Sequence, residues 1–286
     1  MVYAYPDVGR AGLGNMLFPW ARCFIWAREH GVPMIAPIWY TFRIGPYLRR
    51  ETDKRQYQKL FSHDHYISGI HKAFILKRNT IIDEANANSA FGKASVTVTF
   101  SGMQNKFEDL YGHHHQIREE FLRIVKPQFQ QTEIPYEEYI GIHIRRGDFK
   151  LTSAKESDLA LRAGKSNQLI PIEWYISVLR SVRNKLGHEY PVVVFSDGHP
   201  EELRPILQLP YVTFSKGNEA VTDILGLAGS TVLITSASTF SMWASYLGQP
   251  YTIWFPGQKK YNLVVDTSKE IEMDYEQEFY TDMLTS

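Results

Sequence analysis

A single cysteine, Cys23, occurs in the 286 residues of the chain. An internal disulfide and a cysteine-based zinc cluster are therefore excluded, and the apolar helical pattern around Cys23 marks it as packing. Excess charge of one sign is missing too. Lys plus Arg and Asp plus Glu each number 31, so no overall field draws nucleic acid or acidic membranes, and any anion site must be local. No apolar run reaches the ~18 residues that could cross a bilayer. Met1 to Arg10 hold no basic cluster followed by an apolar core, so no secretory signal is expected. The expected location is cytoplasmic, with peripheral membrane association left open. Familiar nucleotide motifs are also lacking: the loop from Gly9 to Asn15 misses the third glycine of a dinucleotide fingerprint, and Gly164-Lys165-Ser166 misses the upstream glycine of a P-loop. No Asp-x-Asp pair occurs. Its nearest approach, Glu272-Met273-Asp274, falls in an acidic tail expected to be solvated, so a metal-bridged ligand is not indicated and no metal ligand is assigned. His113-His114-His115 would point around a helix rather than converge on a metal.

What is present reads as globular, with 44% hydrophobic and 22% charged residues. The length suits two domains of about 100–200 residues each. A short apolar strand from Val2 to Ala4 leads into a loop with Gly9, Gly12 and Gly14, and a helix with Leu17, Ala21, Phe24 and Ile25 on one face follows. Pro19 is tolerable only near the first turn of that helix, and Gly31 ends it. Val96 to Phe100 reads as a strand and Ile117 to Val125 as a helix ended by Lys126-Pro127. The polar stretch from Gln128 to Glu138 is the best boundary, giving domains 1–136 and 137–286. The second alternates strands (Tyr139 to Arg145, Val192 to Ser196, Val212 to Phe214, Val232 to Thr235, Tyr251 to Phe255) with helices, which calls for a parallel sheet and an α/β fold. One of those helices opens at Pro171 and stops at Gly187. Lys150 to Leu169 shows no sustained period and reads as a long mobile loop after a strand.

Chemistry concentrates in Ile140-Gly141-Ile142-His143-Ile144-Arg145-Arg146-Gly147-Asp148. Strict alternation puts three isoleucines on one face and Gly141, His143 and Arg145 on the other. An inner parallel strand normally reads as a continuous apolar run, so an imidazole and a guanidinium near its end need a partner there. Ligands of open α/β sheets bind just beyond the carboxyl ends of strands. Arg145 and Arg146 can bridge a pyrophosphate through fork-shaped hydrogen bonds, and Gly147 lets the backbone approach closely. The structural alternative is an Arg145–Asp148 ion pair. A second segment, Val232 through Ser241, passes from an apolar strand through hydroxyls into a helix. Its Ser238 and Thr239 either serve a phosphate at the helix N-terminus or merely cap the helix. Gly12, Gly14 and Asn15 offer similar backbone chemistry in the first half.

Together these segments resemble the two-Rossmann-domain fucosyltransferases, and most closely glycosyltransferase family 11, the α-1,2-fucosyltransferases. Gly12-Leu13-Gly14-Asn15-Met16-Leu17-Phe18 is similar to that family's N-terminal glycine–asparagine block, with Met16-Leu17 in place of Gln-Met. His143-Ile144-Arg145-Arg146-Gly147-Asp148 resembles its arginine signature, and Ser238-Thr239-Phe240-Ser241-Met242-Trp243 its hydroxyl–Phe–Ser–Trp block. Phe195-Ser196-Asp197 resembles its Phe-Ser-Asp strand end, with Gly198 where a second acidic residue is usual.

The resemblance implies a GT-B-like fold, two Rossmann-type domains with a cleft between them, the first on the acceptor side and the second binding a GDP-sugar. It implies that Arg145 holds the β-phosphate, that His143 and Phe240 belong to the nucleotide site with Ser238, Thr239 and Asp197, and that Asp223 meets guanine. A carboxylate suits the paired N1–H and amino donors of guanine; a helix N-terminal Asp stabilised by the dipole is the alternative. The implied reaction is metal-independent, inverting transfer of fucose from GDP-fucose to a glycan hydroxyl, α-1,2 to galactose, with no cofactor beyond the donor. Leaving-group charge is met by Arg145 and Arg146, and Asp148 is the first candidate base, with Glu156 and Asp158 behind it. Two other readings stay open on the residues alone: a transferase using another GDP-sugar, and a non-catalytic nucleotide-sugar-binding protein.

Overall fold

The computed structural model describes residues 1–40, 56–147, 154–215 and 219–280. The chain forms two compact units, Met1–Gln130 and Gln131–Ser286. In the first, β1 (Val2–Asp7) runs into Gly9, whose φ of +65° makes the turn that a side chain would oppose. α1 (Leu13–Glu29) follows, capped by Gly12, and so begins earlier than the apolar spacing suggests. Gly14 and Asn15 stand in its first turn and Pro19 lies inside it. A proline there removes one helical hydrogen bond, at a cost of about 3 kcal/mol in an isolated helix. Burial of Leu13, Met16, Leu17, Trp20 and Phe24 offsets that loss, since each large apolar side chain contributes about 1.5–3 kcal/mol. The unit continues through α2 (Gly69–Arg78), β2 (Thr80–Asp83), β3 (Val96–Ser101) and α3 (His114–Ile124). Its sheet is parallel in the order β1-β3-β2.

In the second unit β4 (Ile140–Ile144), α4 (Ala154–Arg162), α5 (Ile172–Leu186), β5 (Val192–Ser196), α6 (Pro200–Leu207) and β6 (Val212–Ser215) build one half. α7 (Ala220–Ala228), β7 (Val232–Ile234), α8 (Thr239–Gly248), β8 (Tyr251–Trp254) and β9 (Glu270–Glu272) build the other. All six strands are parallel, in the order β6-β5-β4-β7-β8-β9. Successive strands step outward from β4 to β6, and the direction then reverses at β7, so the switch point lies between β4 and β7. That is the doubly wound order, and its ligand crevice opens at the carboxyl ends beside the switch point.

β4 is buried along its whole length. Ile140, Ile142 and Ile144 pack in one cluster with Val178, Leu179 and Val182 of α5. On the opposite face a Cβ added to Gly141 would stand 2.9 Å from the Ser230 Cβ, so glycine lets the segment after α7 close on the strand.

Two expectations are corrected. The stretch from Lys150 to Leu169 is not wholly a loop, because α4 occupies Ala154–Arg162. Ser157 and Leu161, four residues apart, are buried. Arg162 bonds Asp158 at 2.8 Å and holds both Asp274 carboxylate oxygens at 2.7 Å, and Gln258 Nε2 donates to the Leu161 carbonyl at 2.5 Å. Partners distant in sequence supply the order that periodicity does not show. Nor are residues 272–274 part of a solvated tail: β9 pairs with β8, Met273 is buried, and the buried Glu270 accepts from Trp254 Nε1 at 3.0 Å.

Candidate active site

Within the second unit the carboxyl ends of β4 to β7 and the segments that follow them carry His143, Arg145, Arg146, Asp197, Asp223, Ser238 and Thr239. His143, next to last on β4, is buried among serines: its Nδ1 lies 2.7 Å from Ser241 Oγ and 2.8 Å from Ser236 Oγ. Ser236 Oγ also lies 3.0 Å from the hydroxyls of Ser238 and Ser241, and the Ser236 N–H donates to Ser241 Oγ at 3.1 Å. The Phe240 ring sits 5.0 Å from the imidazole. Burial, with the Arg145 charge adding to it, lowers His143 to about 3, so the ring is neutral near pH 7. The network ties β4 to the loop after β7 across the switch point. Ser238 caps α8, its hydroxyl accepting from the Ser241 N–H at 3.4 Å, and Thr239 is the first helical residue. Capping by Ser238 is thus realised, in a loop whose other serines turn toward the imidazole. Ser236, not among the assigned residues, belongs to this cluster; its only signal was its place in the hydroxyl run.

Beyond β4, Arg145 Nη1 is 2.7 Å from Asp197 Oδ2, and Asp197 Oδ1 accepts the Arg146 N–H at 2.8 Å. Asp197 follows the last residue of β5, so one carboxylate fastens the start of the arginine segment to the neighbouring strand. Asp197 is thus an ion-pair partner of Arg145; Asp148, the partner weighed from the sequence, lies outside the described residues. A Cβ on Gly147 would collide with Asp197 Oδ2 and lie 3.5 Å from Arg145 Cζ, which is why the position is glycine. The same reasoning accounts for Gly198, where an added Cβ would be 2.7 Å from Arg146 Cγ. Arg146 Nε is buried with no hydrogen-bond partner among the described residues. A buried guanidinium N–H of this kind is costly unless something accepts from it.

Asp223 stands half-buried in the first turn of α7, where Ser215 Oγ at the end of β6 donates to its Oδ1 at 3.4 Å. It marks the outer end of the row formed by the β4, β5 and β6 termini. Gly12, Gly14 and Asn15 belong to the first unit. Asp158, a reserve candidate for base, is engaged by Arg162. Among the described residues no group of three His, Cys, Asp or Glu side chains could hold a metal ion.

A doubly wound sheet places its ligand crevice at the switch point, and the two arginines and the hydroxyl-rich helix start found there suit an anion. The glycosyl transferase family 11 model matches residues 51–278, and the chain belongs to that family of glycosyltransferases. In fold it is similar to the NodZ alpha-1,6-fucosyltransferase co-crystallised with GDP, at a TM-score of 0.54 and 15% identity over 89% of this chain and 94% of that one. A further structure, the fucosyltransferase NodZ from Bradyrhizobium, matches at a TM-score of 0.51 and 16% identity over 86% and 92%. No curated protein sequence matches the chain. No helix among the described residues is long and apolar enough to cross a membrane.

Proposed function

We propose that this glycosyltransferase moves fucose from GDP-fucose to the 2-hydroxyl of a galactose-terminated glycan, inverting the anomeric centre without a metal. The observation that carries the reading is the Arg145–Asp197 pair beside His143 at the switch point. Asp197 fixes the arginine segment from one side and the serine cluster fixes the imidazole from the other. The structural relative NodZ, solved with GDP and with GDP-fucose, supports the choice of donor.

In the reaction the acceptor oxygen attacks the fucose anomeric carbon as the bond from that carbon to the diphosphate oxygen breaks. The acceptor proton passes to a carboxylate, for which Asp148 of the signature is the first choice. Negative charge grows on the departing GDP, and Arg145, Arg146 and the N–H groups at the start of α8 meet it with dipoles and charges already in place. His143, neutral across the working pH range, acts as a hydrogen-bonding partner of the nucleotide and adds no charge. Asp223 accepts from the guanine N1–H and amino group. The test is product analysis with GDP-fucose and a panel of galactose-terminated glycans, with GDP-mannose run alongside. A fucosylated product with an α-1,2 linkage is expected; transfer from GDP-mannose alone, or binding of GDP-fucose with no turnover, would overturn the reading.

A further inference from the structure

α2 of the first unit has no buried residue, although it carries Ile70, Phe74, Ile75 and Leu76. Ile75 and Leu76 turn half inward, while Ile70 is 86% exposed and Phe74 53%. Ile70 and Phe74 stand one turn apart and so share a face. Lys77 and Arg78 continue that face and are exposed, and the Arg78 guanidinium lies 4.3 Å from the centre of the Phe74 ring. His71 is exposed beside them. A surface helix ordinarily turns its apolar side chains to the core, and large exposed apolar groups rimmed by polar ones mark interaction sites.

Neighbouring segments extend the face. The Ala36 N–H donates to the Ile67 carbonyl at 2.9 Å and Lys72 Nζ donates to the Ala36 carbonyl at 2.5 Å, so the chain around Ala36 lies beside the start of α2. A little further on it exposes Ile38 and Tyr40, and β2, which follows α2 directly, exposes Ile81. No Asp or Glu occurs between His65 and Ile82, where Lys72, Lys77 and Arg78 supply the fixed charge. In a chain whose charges balance overall, this stretch is locally positive.

Charge and shape decide the occupant. A second copy docked across a two-fold axis would bring the same basic, carboxylate-free face against itself, and like charges would oppose each other. An acidic protein would meet the cations, but Ile70 and Phe74 would need a hollow shaped to receive them. A lipid surface takes exposed apolar tips of any shape into its headgroup boundary, while anionic headgroups meet the flanking cations. We propose that α2 docks the protein reversibly on an anionic lipid surface, with Ile70 and Phe74 entering the headgroup region and Lys77 and Arg78 at the level of the phosphates. The inference is independent of the donor and acceptor assigned above.

Sedimentation of the full chain with phosphatidylcholine vesicles, with and without about 30% phosphatidylglycerol, tests the proposal. The anionic vesicles should bind it at least ~10-fold more tightly than the neutral ones. Binding should weaken as salt rises from about 0.1 to 1 M, which cuts the screening length from about 10 to 3 Å. Lys77→Gln and Arg78→Gln should each weaken binding about fivefold, and Ile70→Ser and Phe74→Ser about tenfold. Because all four side chains are exposed, the melting temperature of each variant should match that of the native chain. A polarity-sensitive dye attached through Ile70→Cys should brighten with anionic vesicles and not with neutral ones; the buried Cys23 does not compete for the dye. The proposal is overturned if anionic vesicles leave the chain in the supernatant, if neutral vesicles hold it equally well, or if none of the four substitutions weakens binding. Tighter binding to polyglutamate than to vesicles would make the face an acidic-protein site instead. A dimer in vesicle-free sedimentation that Phe74→Ser dissolves would give the face to a second copy.

Discussion

Replacing Arg145 with alanine separates a catalytic arginine from a structural one, because the structure gives different magnitudes for the two roles. The Arg145–Asp197 pair is short, at 2.7 Å, but its side chains are 28% and 20% exposed. Partly exposed ion pairs of this kind are worth about 0–1 kcal/mol. Asp197 also keeps its bond from the Arg146 N–H in the variant, and water can reach its freed oxygen. The melting temperature should therefore fall by no more than about 4 °C. A donor aimed at charge that grows on a leaving diphosphate is worth about 3 kcal/mol, or about a hundredfold in rate. Turnover from GDP-fucose should fall by that factor. Arg145→Lys should recover little, since a point charge cannot reproduce the planar fork. Asp197→Asn should cost about tenfold through the position of the arginine, and almost nothing further when Arg145 is already alanine, because neighbours acting as one unit are not additive. Steady-state turnover and melting temperature measured on one preparation decide the matter. A stable Arg145→Ala enzyme that binds GDP and turns over near the native rate would refute the reasoning, as would a large loss of stability with activity preserved in the folded fraction.

If Asp223 meets guanine, GDP should raise the melting temperature well above UDP or ADP at equal concentration, by mass action on the native state. Asp223→Asn should shrink that difference, and equal shifts with all three nucleotides would remove the guanine assignment. Transfer should persist in excess EDTA, as the missing Asp-x-Asp pair suggests; a complete loss restored by magnesium or manganese would show that a metal takes part. His143, held at about 3 against an ordinary value of 6.5, binds fewer protons folded than unfolded between those limits. Stability should fall as pH drops from about 6.5 toward 3, by up to on the order of 4 kcal/mol from this group. His143→Gln should flatten that slope in melting curves; an unchanged slope would mean that the imidazole is not buried neutral.

The second unit was legible because its buried strands carry their burial in composition. Ile140 to Ile144, Val192 to Ser196 and Val232 to Ile234 are β-branched runs flanked by helix signals, and a parallel sheet follows from the alternation. The first unit spoke less clearly for a physical reason. β2 has no buried residue and α2 none either, so no apolar stripe marks them. The α4 segment failed as a loop because its order comes from Arg162–Asp274 and Gln258, partners about a hundred residues away that no local period records.

At the site the sequence exposed residue types but not who holds whom. Asp148 follows Arg145 closely in the chain and Asp197 does not, yet adjacency in a parallel sheet is set by register. Ile144 pairs with Ser196, and that pairing puts the next residues of both strands side by side. Once Asp197 is the buttress, the two flanking glycines become intelligible. Gly147 clears the carboxylate and Gly198 clears the Arg146 stem. A longer side chain at Gly198, as the family pattern favours, would require Arg146 to take another rotamer. Gly198 and the Arg146 conformation seen here are therefore one feature, and substitution at 198 should be read as a change in how the second arginine is presented.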